Sequence, residues 1–344
     1  MNNTQIITTL NHISLQINQI VPLFIIITGT FGHICNIIIF SKRSQRRNPI
    51  SVYFLSSTIV CLIALYIGVL VRYLQDIYSL DPVNNNLVMC RIRSFTVYIA
   101  LSLSNWYILL GTIDRYLISC DDNRRRQLST IKNAYRSIVF ITIVSILCYC
   151  HILILYNIQT FLNVYDRLQN FCYPQRGNYR IFSDIQILLQ FSLLPPLLMS
   201  VFVVLIIKNI HASHRRIANT VVAQHHARIK RRDLQLSKML LVQVMITIIC
   251  SLPLAVSQLL TTLTLTTTKT VLRLTIENFF ALVARQLAFF NCSISFYVYT
   301  LAGSQFRLEI RDIGNRITFL ICRKRLLEKR QIHVQDDQRP NGNV

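Results

Sequence analysis

Three charged side chains stand in or beside long apolar stretches of this sequence, where a charge is costly unless it is paired or functional. Asp114 and Arg115 lie together in Asp114-Arg115-Tyr116 at the end of one stretch, and Arg285 lies inside another. Carboxylates and guanidinium groups form exchangeable ion pairs and hydrogen bonds. Their chemistry points to recognition and switching. Simple anchoring is the alternative for Arg115, since an Arg near a helix end extends to the membrane surface.

The apolar stretches lack the patterns of an enzyme or a metal site. They hold no Glu-x-x-His motif, no His pair and no second acid in the stretch that ends at Asp114. No His/Cys spacing is typical of zinc. The sequence therefore predicts neither catalysis nor a cofactor. A transporter would be expected to show internal repeats and Gly/Pro-broken helices, whereas this chain has 8 Gly and no second copy of any stretch.

The composition indicates a membrane protein with basic loops. Of the 344 residues, 52% are hydrophobic, and 36 Lys+Arg against 14 Asp+Glu give a net charge of +22. The basic residues cluster between the apolar stretches, as expected for loops beside an anionic lipid leaflet. A nucleic-acid-binding protein could carry this charge but has no need of membrane-length apolar stretches. We therefore expect lipid, and not nucleic acid, as a partner.

Apolar stretches long enough to cross a bilayer recur along the chain, since about 20 residues of helix are needed. Proline inside such helices is tolerated because neighbouring helices pair the freed carbonyls. The fold prediction is an all-α membrane protein, a seven-transmembrane helix bundle with a short membrane-lying eighth helix. The predicted spans are Ile20–Ser41, Ile50–Leu74, Cys90–Ile118, Ala134–Tyr156, Phe182–Lys208, Leu236–Leu263 and Val271–Leu301.

The distribution of Lys and Arg predicts the orientation. The loops that contain Lys42, Arg124 and Lys230 are the basic ones, so the positive-inside rule places them in the cytoplasm. Residues 1–19 are then an extracellular amino terminus before the seven-span domain at 20–301. Asn2 begins a glycosylation sequon, a triplet that also arises by chance. No cleavable signal peptide is predicted, and the first span is expected to direct its own insertion.

The chain after the last span is predicted to lie on the membrane and then enter the cytoplasm. Residues 302–322 place apolar side chains on one helical face, which predicts an amphipathic helix. Cys322 at its end is a palmitoylation candidate, with a plain free thiol as the alternative. Residues 323–344 are expected to be a disordered tail.

Cys90 and Cys172 are the best-placed cysteines for an oxidised pair. Both are predicted on the outer side, Cys90 at the start of the third span and Cys172 in the loop after the fourth. Most other cysteines fall within spans or on the reducing side. Two unpaired thiols are the alternative.

These features together resemble the rhodopsin-like (class A) G-protein-coupled receptors, from about Phe31 to Cys322. Cys90 and Arg115 are 25 residues apart, roughly 37 Å of helix, and the family shows the same spacing with Asp-Arg-Tyr at the foot. Asn36 matches the asparagine that the family has in its first span. The run Cys250-Ser251-Leu252-Pro253 resembles the family's sixth-span motif Cys-Trp-Leu-Pro. Asn291 and Tyr299 match the ends of the seventh-span motif.

The chain also departs from the family pattern. Cys61 or Leu62 stands where the family has its sodium-binding acid, and Ser295-Phe296 replaces Asn-Pro. Trp106 is the single tryptophan, so the fourth span lacks the usual one. The resemblance therefore carries over the fold but not the sodium site or the details of the switch in spans six and seven.

The resemblance implies that Asp114, Arg115 and Tyr116 face a heterotrimeric G protein. Asp233 lies at the foot of the sixth span, where the family often has an acid. The hypothesis is a latch in which Arg115 pairs with Asp233 at rest, and outward movement of span six breaks the pair. Tyr299 completes the predicted switch.

Ligand candidates lie in the outer halves of the spans. Val97 replaces the aspartate of amine receptors and Phe289 the retinal lysine of opsins, so amines and light are disfavoured. Arg285 is either a donor to a peptide carbonyl or carboxylate, or half of a structural salt bridge with Glu277. The predicted ligand-binding residues are Tyr98, Gln258, Arg285, Gln286 and Arg72.

The predicted function is a G-protein-coupled receptor that converts binding of an extracellular ligand, with a peptide favoured, into G-protein activation at the plasma membrane. The polar pocket resembles those of FMRFamide-like neuropeptide receptors. The alternatives are a non-signalling receptor-like membrane protein and, less favoured, a small-solute transporter.

Overall fold

A computed structural model describes residues 2–43, 45–78, 82–162, 168–217, 223–264 and 267–302, together with Arg307 and Arg311. Within these residues, seven helices are long and apolar enough to cross a membrane, as predicted. The spans are Asn3–Phe40, Pro49–Tyr78, Leu87–Ser119, Ile131–Leu155, Asn178–Ala212, Leu241–Leu263 and Val271–Val298.

Several span helices extend beyond their apolar windows. Span one begins at Asn3, well before the predicted Ile20, so the expected amino-terminal segment is helical. The sixth helix runs over Ala223–Leu263 and the seventh over Val271–Ala302. Short helices at Pro82–Asn85 and Asn123–Arg126 lie in the loops before and after span three. Apart from Arg307 and Arg311, both exposed, the predicted eighth helix and tail, including Cys322, lie outside the described residues.

Polar side chains set where helices begin, because the first N–H groups of a helix have no partner within it. Asn86 accepts from the N–H groups of Val88 and Met89 at 2.9 and 3.3 Å at the start of span three. Thr130 accepts from the N–H of Asn133 at 3.2 Å at the start of span four. At span two, the Asn48 side chain caps the helix in the same way, and Pro49 follows as the first helical residue.

Span three lies at the centre of the bundle and span four at its edge. Half of the apolar window of span three is buried, against 17% in span four. Side chains such as Phe140, Leu147 and Ile154 on span four are exposed. Large apolar side chains on the outside of a bundle are expected where lipid is the solvent. Span three is therefore the element against which the others are placed.

Spans two and five each contain a π-helical segment, at Ala64–Leu70 and Leu188–Leu193. A π segment widens the helix and loosens carbonyls from the regular bonding pattern. Side chains of span three pair these carbonyls: Arg93 Nε and Nη2 donate to the carbonyls of Ile67 and Gly68 at 3.2 and 2.9 Å. At span five, Trp106 Nε1 donates to the carbonyl of Gln190 at 3.1 Å. Lipid offers no such donors, so the pairing must come from protein.

An antiparallel hairpin, absent from the sequence prediction, fills the loop between spans four and five. Strand β1 (Tyr156–Leu162) pairs with β2 (Leu168–Pro174), with Ile158 opposite Cys172 and Thr160 opposite Asn170. Strands this short have a weak periodic signal, so the hairpin was not predicted.

Spans one and seven approach each other through glycine. A Cβ added at Gly32 would lie 2.9 Å from Phe296 Cβ, and one at Gly29 would lie 2.9 Å from Ser293 Cβ. Real Cβ atoms do not pack so closely, so any larger residue must push the two helices apart. By contrast, a Cβ at Gly111 in span three meets only ordinary contacts at 3.6 Å or more.

We predict that Gly32→Ala lowers the free energy of unfolding by about 1–3 kcal/mol, because the new methyl group overpacks the interface. Gly111→Ala, the matched control, should be neutral or slightly stabilising, since alanine favours helix. Thermal unfolding of the purified proteins in detergent measures both. Equal unfolding temperatures for the two variants would contradict the close approach of spans one and seven.

Candidate functional site

The two ends of span three carry different chemistry. The predicted disulfide between Cys90 and Cys172 is present, with Cα atoms 5.6 Å apart. We call this side of the bundle the disulfide end and the opposite side the Arg115 end. Asp114, Arg115 and Tyr116 lie at the Arg115 end, just before the helix finishes at Ser119.

The hairpin is fixed to the disulfide end by more than the sulfur bridge. Asn84 Oδ1 accepts from the N–H of Cys172 at 2.9 Å, and Arg91 Nε donates to the carbonyl of Tyr156 at 3.0 Å. Burial raises the pKa of the Tyr156 hydroxyl well above its ordinary value, so the group stays neutral. The hairpin is therefore a fixed wall beside the predicted ligand pocket.

The predicted pocket residues come from several spans. Gln258 Nε2 in span six donates to the hydroxyl of Tyr98 in span three at 3.2 Å, and the Tyr98 ring packs edge-on against Tyr156 at 6.2 Å. Arg285 in span seven lies within electrostatic range of Arg72 and Asp76 in span two and of Tyr173 and Tyr98. Four of the predicted ligand residues therefore form one polar cluster: Tyr98, Gln258, Arg285 and Arg72.

Gln286 is not shown to belong to this cluster. Its side chain is half-buried, and it forms no hydrogen bond with another described residue. Its assignment as a ligand residue stays a prediction.

The proposed salt bridge between Arg285 and Glu277 is wrong. Glu277 instead accepts from Arg273 Nε at 2.9 Å and pairs with Lys269. Arg273 is one helical turn from Glu277, which allows direct contact, whereas Arg285 is two turns away. Glu277 is therefore not the ion-pair partner of Arg285.

Two buried charged residues at the disulfide end were not predicted from the sequence. Asp184 and Arg180 in span five are each 5% exposed. The hydroxyl of Thr262 in span six donates to Asp184 and accepts from Arg180 Nε at 3.1 Å. The Arg180 guanidinium also lies 5.3 Å from the centre of the Tyr173 ring. The available signal was an acid inside the predicted fifth span, which is rare without a partner.

The Arg115 end is held by contacts from the neighbouring loop. Asp114 is 4% exposed and accepts from the Ser129 hydroxyl at 2.7 Å. The Tyr116 ring packs against Phe202 of span five at 5.5 Å, and its hydroxyl accepts from Arg125 Nη1 at 3.2 Å. Arg115 is half-buried beside them. The side chains of Asp233 and Tyr299 lie outside the described part of the structure, so the latch stays a prediction.

A chain of hydrogen bonds links spans five, three, seven and six near mid-bundle. Asn105 Nδ2 donates to the carbonyl of Phe191 at 3.0 Å, and Asn105 Oδ1 accepts from Asn291 Nδ2 at 3.5 Å. The Thr247 hydroxyl then donates to Asn291 Oδ1 at 3.3 Å. Asn291 was matched to the family motif, but Asn105 was missed because a lone asparagine carries no sequence pattern.

Cysteine side chains lie at the level in span two where the resemblance would place a sodium-binding acid. Cys61 is 3% exposed and lies against Cys292 and Ser104. The described residues contain no group of three or more His, Cys, Asp or Glu side chains that could hold a metal ion. A neutral thiol and a hydroxyl are weak ligands for a hard cation, which prefers oxygen donors with charge.

We predict that Asn105→Leu lowers the free energy of unfolding by about 1–3 kcal/mol, because the Phe191 carbonyl loses its donor and the Asn291 amide loses its acceptor. Ser102→Ala is the matched control. Ser102 donates to the Gln190 carbonyl at 3.4 Å, and that carbonyl keeps its bond from Trp106. Thermal unfolding should therefore separate the variants, and equal losses would argue against the chain of bonds.

Comparison with known proteins agrees with this geometry. The chain is 26% identical over 124 residues to the neuromedin U receptor homolog nmur-2 of Caenorhabditis elegans, a match that covers 36% of this chain and 31% of that protein. The chain thus spans less than a third of that relative's length. The family model of the 7 transmembrane receptor (rhodopsin family) matches residues 32–299, which is 268 of the 344 residues. The chain belongs to the rhodopsin family of seven-transmembrane receptors.

Proposed function

We propose that this protein is a plasma-membrane receptor that binds a peptide at the disulfide end and activates a heterotrimeric G protein at the Arg115 end. Span three carries the proposal. It holds Cys90 of the disulfide at one end and Asp114, Arg115 and Tyr116 at the other, so one rigid element joins the two proposed sites.

A peptide ligand is supported by the polarity of the pocket and by a relative. Tyrosine, glutamine and arginine side chains from different spans converge beside the hairpin, and such groups suit the amides and charges of a peptide. The relative in Caenorhabditis elegans is a receptor homolog for neuromedin U by name. Because the match covers only part of each chain, it supports the ligand class and no particular peptide.

Coupling to a G protein is supported by the charge at the Arg115 end. Arg124, Arg125 and Arg126 are exposed on a short helix directly after span three. The same basic surface favours contact with the anionic inner leaflet, which orients the Arg115 end toward the cytoplasm and the amino terminus, with its Asn2 sequon, toward the outside.

The test is expression in cells with a promiscuous G-protein readout and challenge with a neuropeptide library. We expect at least one peptide to raise the signal, and Arg115→Ala to abolish the response at unchanged surface expression. Lys132→Ala, an exposed residue at the same end, is the control and should keep the response. A peptide that binds without any G-protein signal would favour the non-signalling alternative, and solute transport would favour the transporter.

The latch makes a separate prediction about ligand-free activity. Asp233→Arg should raise the basal signal, because the new arginine repels Arg115 and favours the outward position of span six. An exposed ion pair contributes only about 0–1 kcal/mol, so the expected rise is a few-fold. Asp121→Arg reverses an acid in the nearby loop and should leave the basal signal unchanged. Equal basal signals in wild type and Asp233→Arg would exclude the latch.

A further inference from the structure

We infer that Gln243 in span six is a switch residue, whose buried amide favours the outward position of that span. The inference rests on the proposed function and names a residue that regulates it. Gln243 is 0% exposed, so the bundle is closed around its side chain. Within the part of the chain that the structure describes, neither its Nε2 nor its Oε1 has a hydrogen-bond partner. A buried amide without partners is costly, because it has lost its bonds to water and gained none in exchange.

Gln243 belongs to a buried polar face of span six. Gln243, Thr247 and Ser251 follow one another at intervals of four residues, which places them on the same side of the helix. All three are 0% exposed. The Thr247 hydroxyl donates to Asn291 Oδ1 of span seven at 3.3 Å, whereas the Ser251 hydroxyl and the Gln243 amide are unpaired among the described residues. The side chains of this face are therefore bonded to span seven at the middle residue and free on either side of it.

The core beside Gln243 is apolar. The adjacent residue, Val244, lies in a cluster of buried apolar side chains with Val203 of span five and Phe296 and Val298 of span seven. None of these side chains has a donor or an acceptor for an amide, and the backbone groups of regular helices are already bonded to each other. The closed packing therefore buries an amide beside side chains that cannot pair it.

Span six contains a bending point that can move Gln243. Pro253 lies inside the helix, ten residues after Gln243 and roughly 15 Å from it along the axis. Proline lacks the N–H of a regular helix and allows a bend there. The Ser192 hydroxyl of span five donates to the Ser251 carbonyl at 2.9 Å, which holds the helix beside the proline. Gln243 lies on the side of this point that leads to the Arg115 end.

An outward bend of this part of span six changes the surroundings of Gln243. The movement separates the helix from the apolar cluster around Val244, and water or a polar group can then reach the amide. The cost of the unpaired amide is thereby removed in the outward position and remains in the closed one. Because the two positions must be similar in energy for a switch to work, one buried amide is enough to shift the balance between them.

The first experiment measures thermal unfolding of the purified receptor in detergent, without ligand or G protein. Gln243→Met keeps an unbranched side chain and removes both unpaired groups, so we expect the unfolding temperature to rise by about 2 °C or more. Thr247→Val removes a paired hydroxyl from the same face and should lower the unfolding temperature. Gln190→Met makes the matched change at a half-buried position of span five and should have little effect. A fall for Gln243→Met would mean that the amide is already paired, by a buried water for example, and would overturn the inference.

The second experiment measures the ligand-free G-protein signal per receptor at the cell surface. We expect Gln243→Met to lower this basal signal at least about threefold, because the closed position no longer carries the cost of the amide. Gln243→Glu should raise it above that of the wild type, because burying an unpaired carboxylate costs more than burying an amide. Gln190→Met should keep the wild-type signal. A residue that only maintains the fold would not produce this rise from Met through Gln to Glu.

The outcomes distinguish failure of the inference from failure of the proposed function. Equal basal signals in the wild type and Gln243→Met, with a response to peptide retained, contradict the switch role and leave the receptor function intact. Equal losses in Gln243→Met and Gln190→Met also contradict it, because the effect is then not specific to the buried position. A protein that signals neither without ligand nor with any peptide contradicts the proposed function and the switch role together.

Discussion

The need to pair every polar group inside the protein governs this bundle, because lipid supplies no hydrogen bonds. The consequence is clearest where helices deviate from regular geometry. The π segments of spans two and five loosen carbonyls, and span three supplies Arg93, Asn105 and Trp106 to pair them. Span three is central because it serves both neighbours at once. The polar side chains of Arg93, Asn105 and Trp106 in an apolar helix are thereby explained by the backbone of the neighbouring helices.

The same constraint separates the charges of the protein into two groups. At the Arg115 end, Asp114 is buried but held by Ser129, so the acid beside Arg115 has a fixed position. At the disulfide end, Asp184 and Arg180 share the Thr262 hydroxyl, which ties span five to span six.

Much of this structure could be predicted from sequence, since hydropathy and basic loops follow directly from the cost of placing charge in lipid. The seven spans, the placement of Cys90 and Arg115 toward opposite ends of one helix, and the disulfide were all predicted. Contacts between spans were not. Glu277 was considered as a partner of Arg285 along the helix, yet it pairs with Arg273, one turn away, and with Lys269 before the helix. The π segments were also unpredictable, because they depend on donors from span three and on no local sequence motif.

The absence of an acid from the middle of span two, a departure from the family pattern, has a physical explanation in the packing of the bundle. A buried carboxylate in span two would need a cation or a rearranged set of donors, whereas Cys61 packs as a neutral group against Cys292 and Ser104. Polar linkage between helices is instead carried by Asn105, Asn291 and Thr247. Their bonds at 3.3 and 3.5 Å are long for hydrogen bonds, so each is weaker than a short bond, although leaving a buried partner unpaired is still costly. The switch that we propose requires two packings of similar energy, and neutral bonds that join spans three, six and seven can rearrange between such packings without an ion.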